Sequence, residues 1–150
     1  MVDRRVTRDE FHMKMMAARE TRSEDENERV FRLMREQLRG LDDVQQFEIL
    51  FPIAVKAQHH APSWPAAKLL RELSPACPLS CEDAIKALFP EWDISIEEVP
   101  FYIASRFGVA RVRQAIERLD RDAAADLDRR IFQTLAYWMD MYEQCYRTDT

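Results

Sequence analysis

From residue 24 onward, apolar side chains recur mostly at spacings of three and four, the period of helix faces turned toward a core. Residues 24–39 repeat Val30, Met34 and Leu38 behind Glu24, Asp25 and Glu26, acids that suit the positive end of a helix dipole. Residues 43–58 are apolar around most of their circumference, from Val44 and Phe47 through Leu50, Phe51 and Ile53 to Val55 and Ala57. That pattern predicts a helix in the middle of a bundle. Pro52 falls within it and predicts a kink, because proline has no amide hydrogen to donate. The stretch His59-His60-Ala61-Pro62-Ser63-Trp64-Pro65 reads as a loop, followed by a short helix to about Leu73. Further helices are expected at 81–89, closed by Pro90, and at 98–107, 109–120 and 123–147. Ile94-Ser95-Ile96 alternates too briefly to make a strand and has no partner segment.

Capping signals set the boundaries. A capping box pairs a side-chain acceptor at the N-cap with an acid or amide three residues later. Thr7 with Glu10, Ser23 with Glu26, Asp42 with Gln45, Ser80 with Asp83 and Ser95 with Glu98 all fit. Gly40 and Gly108 each follow a periodic run, where a left-handed residue commonly ends a helix. Residues 8–21 are expected to form a charged, Met-rich helix with Phe11, Met15 and Ala18 on one side. We therefore divide the chain into a charged N-terminal arm or helix, 1–22, contributing little to its own core, and a single helical domain, 23–150. Unequal helix lengths and a proline-rich middle predict an all-α, irregular or orthogonal bundle of six to eight helices with a kinked central helix.

Composition narrows the function classes. The chain has 150 residues and only two glycines, few for a sheet-rich fold with many tight turns. Its net charge of −5 disfavours a general attraction to nucleic acid, which is an unlikely partner for the chain as a whole. No segment reaches the roughly 20 apolar residues of a membrane span, and the first 29 residues carry no apolar run of signal-peptide length. Three cysteines, Cys77, Cys81 and Cys145, are an odd, sparse set that fits a reducing cytoplasm.

Ile103-Ala104-Ser105-Arg106-Phe107-Gly108-Val109, running on to Ile116-Glu117-Arg118-Leu119, resembles the helix-turn-helix of winged-helix repressors. Ala104 precedes the turn Gly108 by four, and Ile103, Phe107 and Val109 occupy apolar positions. The resemblance implies an alternative function as a DNA-binding regulator using residues 101–119, with arginines contacting phosphates. Gln114 and Glu117 stand where that motif docks apolar side chains. Arg113, Glu117 and Arg121 are spaced by four, as on a helix face that pairs its own charges.

His59, His60, Cys77 and Cys81 are zinc-ligand residue types, but adjacent histidines and a proline between the cysteines make a poor ligand spacing. Cys81 in the first turn of a helix invites a lowered pKa and a nucleophilic role. A small helical enzyme or ligand binder around His59, His60, Trp64 and Cys81 is thus a second alternative. No phosphate-binding loop, dinucleotide fingerprint or zinc-protease motif occurs, so no cofactor or metal is assigned and an enzyme is the less favoured reading. Trp92 is expected to plug a helix end against the core.

The last segment carries the leading expectation. One stripe, Leu127, Ile131, Trp138, Tyr142 and Cys145, faces the core; a second, Phe132, Met139 and Tyr146, lies beside it. Together they cover more of the wheel than the ~100° stripe a surface helix needs. The surplus predicts a non-enzymatic protein-interaction or regulatory domain that forms a homodimer through Phe132, Met139 and Tyr146.

Overall fold

A computed structural model of the chain describes residues 24–56, 60–89, 92–122 and 129–146, with the side chains of 24–27, 60–64 and 122 outside the description. Within these residues it is all-helical: α1 (Glu24–Arg39), α2 (Asp43–Ala54), α3 (His60–Leu73), α4 (Cys81–Lys86), α5 (Glu98–Phe107), α6 (Val109–Asp122) and α7 (Arg129–Tyr146). One hydrophobic cluster draws on all seven, from Met34 to Met139. The expected helix at 8–21, with the boxes at Thr7 and Ser23, lies outside the described residues.

The α1–α2 corner is held by polar side chains. Asp42 accepts a 2.8 Å bond from the Gln45 amide, and its own amide donates to Gln45 Oε1 at 3.3 Å, so the capping box forms. Buried Gln46 donates through Nε2 to the carbonyls of Leu38 (2.8 Å) and Leu41 (3.2 Å). It thereby joins one carbonyl at the end of α1, which also accepts from the Leu41 amide, to one in the turn beyond. Gly40 differs from expectation: among the described glycines only Gly108 has positive φ.

The loop expected at 59–65 is instead helical from His60. Pro62 is the third residue of α3, where the amide has no helical partner in any case, so only Pro65 removes an internal bond. Ser74 ends α3 with φ 46°, its amide donating to Leu70 at 2.9 Å, and buried Pro75 follows. Asp43 Oδ2 accepts from the Ala76 amide at 2.8 Å, pinning the start of α2 to the connector beyond α3.

The centre of the bundle is α5 rather than α2. Val99, Pro100, Phe101, Tyr102, Ile103 and Ala104 are buried in succession, and α5 packs against α3, α4, α6 and α7. Helix α2 packs chiefly on α3, and Pro52 lies in its last turn, so the break falls at the helix end. Tyr102 is fully buried and its hydroxyl donates to the Pro75 carbonyl at 2.7 Å. Ser95 does not cap α5; its amide and hydroxyl both donate to Asp93 Oδ1, which closes a turn of its own.

Candidate functional site

Of the residues singled out by sequence, Cys81 and two arginines of the α5–α6 corner are engaged within the fold. Cys81 opens α4 and is buried, behind the Ser80 cap that accepts from the Asp83 amide. Burial pushes its thiol up to about 11, outweighing the opposing pull of Arg111. The Cys77 thiol is also raised by burial. Neither sulfur presents a thiolate near neutral pH. His59 lies outside the described residues, as do the side chains of His60 and Trp64, although the latter two fall on α3. Among the described residues, no three His, Cys, Asp or Glu side chains gather in a metal-binding group.

Helices α5 and α6 meet at Gly108, whose φ of 86° lets its amide close α5 on Ala104 while its carbonyl accepts from Val112. A helix-turn-helix usually spends three to four residues on this turn. Arg111 grips Glu82 of α4 at 2.7 and 2.8 Å and holds that carboxyl below its ordinary range. Arg113 bridges Asp140 (2.7 Å) and Glu143 (3.0 Å) of α7 rather than pairing along its own helix with Glu117. These two arginines join helices within the chain.

The expected interface stripe is also redistributed. Phe132 is buried, its ring 4.9 Å from Phe89 in an edge-on contact, and Met139 is fully buried. Both are core residues of their own chain, so neither offers a free surface. Tyr146, the third, is 50% exposed. The core line of α7 is Ile131, Phe132, Leu135 and Met139, whereas Trp138 and Tyr142, expected to face inward, are only partly buried and Cys145 is exposed.

That rotation turns a band of rings outward. Phe101, buried at the start of α5, is met edge-on by Trp138 (5.9 Å), Tyr142 (5.5 Å) and Tyr146 (5.7 Å) from the second half of α7. Tyr137 stands 4.9 Å from Trp138. The Arg71 guanidinium of α3 lies 5.2 Å from the Tyr146 ring centre and 5.9 Å from that of Tyr142. Trp138 Nε1 donates to the Ile94 carbonyl at 3.0 Å. On the rim, Ile94 is 40%, Tyr137 53% and Tyr146 50% exposed.

Sequence reading missed Arg71, Ile94 and Tyr137. Tyr137 and Trp138 are neighbours on a helix, about 100° apart, so on a helix covered along one face only they do not both turn inward. That adjacency was the available signal. Arg71 and Ile94 come from distant elements and carried none. No protein-family model, curated protein or solved structure matches the chain.

Proposed function

We propose that the chain is a non-enzymatic protein-interaction domain that self-associates through the aromatic band of α7. The observation supporting it is the set of half-exposed rings, Tyr137 and Tyr146, anchored on Phe101, Trp138 and Arg71. Tyr, Trp and Arg are the residue types that concentrate binding energy in interfaces. Rings already locked by neighbours lose little conformational freedom on binding.

A second copy of the chain fits this surface by symmetry: two α7 helices crossing at Tyr137 bring the half-exposed rings of each onto those of the other. A two-fold contact of this kind is the commonest form of self-association.

Cross-linking tests the location. With Cys145→Ser as background, Tyr137→Cys should give a disulfide-linked dimer under oxidised glutathione, because only residues near the two-fold axis approach their own copies closely enough. Cysteine at Glu36, exposed on α1, serves as the control. Absence of the dimer, or equal yield from the Glu36→Cys control, overturns the proposal.

A further inference from the structure

The aromatic band carries unlike charges at its two ends. At one end the Arg71 guanidinium lies against the Tyr146 and Tyr142 rings, 5.2 and 5.9 Å from their centres. Its Nε is buried, and among the described residues Arg71 has neither a hydrogen bond nor an ion pair. Arg35, Arg111 and Arg113, by contrast, each hold a carboxylate. At the other end Ile94 accepts the Trp138 indole, and three residues on stands Glu97, exposed at the head of α5. The Glu97 side chain makes no capping bond, and Glu98 already places an acid in the first turn of α5. Among the described residues its carboxylate also has no hydrogen bond or ion pair.

We propose that a second copy of the chain completes this surface, Arg71 of each copy pairing with Glu97 of the other across the dimer contact. The inference rests on self-association through α7 and names the charges that set its register.

A partly buried guanidinium without an acceptor is costly, because nothing offsets the water it has lost. The two tyrosine rings hold its planar fork in place, so little freedom is lost when a carboxylate arrives. The chain's own Glu97 does not serve. It lies one helical turn before Phe101, and Phe101 with its three flanking rings stands between it and Arg71. In a face-to-face dimer the two-fold axis lies in the contact plane and carries each side of the surface onto the opposite side of the partner's. An axis through Tyr137 and the middle of the band sets the Arg71 end of one copy against the Glu97 end of the other, twice over. Arginine and carboxylate can then pair through two parallel hydrogen bonds. Unlike charges so placed fix one register, and registers that bring like charges together are penalised.

Charge reversal followed by sedimentation equilibrium tests the pairing. Arg71→Glu and Glu97→Arg should each raise the dimer dissociation constant about tenfold or more, because each sets like charges together at two symmetry-related points. The double variant Arg71→Glu, Glu97→Arg should recover to within about threefold of wild type, as a direct pair requires. Arg71→Glu combined with Glu48→Arg, at an exposed position on α2, has the same net charge and should not recover. A Glu97→Arg dimer as tight as wild type overturns the pairing and leaves self-association standing. So does a loss that the double variant fails to recover, or that Glu48→Arg recovers equally well. A wild type that never dimerises overturns both.

Discussion

Trp138 and Ile94 are joined by a 3.0 Å hydrogen bond from the indole Nε1 to the backbone carbonyl, tying α7 to the turn that precedes α5. The bond fixes the indole between Phe101 and Tyr137 and so sets the plane of the exposed band. Trp138→Phe keeps an apolar ring but removes the donor. It should cost about 1 kcal/mol of stability, the net worth of one such bond, measurable by urea denaturation. It should also weaken self-association, since Tyr137 loses its rigid neighbour.

The two glycines should respond in opposite senses. Gly108 holds φ 86°, a conformation β-branched side chains avoid, so Gly108→Val should lose about 1–2 kcal/mol. At Gly40 an added methyl would meet only the Gln37 carbonyl, at an ordinary 3.5 Å. Gly40→Ala should therefore be neutral or stabilise by up to about 1 kcal/mol, through the reduced freedom of the unfolded chain. Thermal melts of the two variants decide both.

These outcomes show how far the sequence carried and where it stopped. Asp42–Gln45, Ser80 and Gly108 were legible because a cap is a local contract between neighbouring residues. Ser74 was not, because a serine in the left-handed region carries no glycine to announce it. The start of α3 was hidden by Pro62, which normally signals a loop yet costs a first turn little. Apolarity around most of the circumference occurs in both α2 and α5, and only the contacts of each show which is central. On α7 the apolar arc was too wide to give a single direction. Phe89 captures Phe132, which turns the helix so that Tyr137 and Trp138 move outward. The band depends on that tertiary choice, and on Arg71 and Ile94 arriving from elsewhere.

Alkaline pH should weaken the fold through Cys81. Its folded thiol titrates near 11, above the ordinary 9.0 that it regains on unfolding. A raised thiol pKa means that the unfolded state releases its proton first. The contribution is thus fully present below pH 9 and is lost as pH rises from 9 to 11. Cys81→Ala should show a shallower loss of denaturation midpoint across that interval. An identical slope in wild type and variant would remove the thiol from the explanation.

Self-association through α7 is the central claim, and sedimentation equilibrium of the full chain tests it most directly. The wild type should fit a reversible monomer–dimer equilibrium, with the dimer dominant at high micromolar concentration. Tyr137→Asp with Tyr146→Asp should sediment as a monomer with an unchanged helical circular dichroism spectrum, since both side chains are about half exposed and fill no core position. A wild type that remains a monomer at high micromolar concentration, or a folded double variant that dimerises as well as the wild type, would contradict the account.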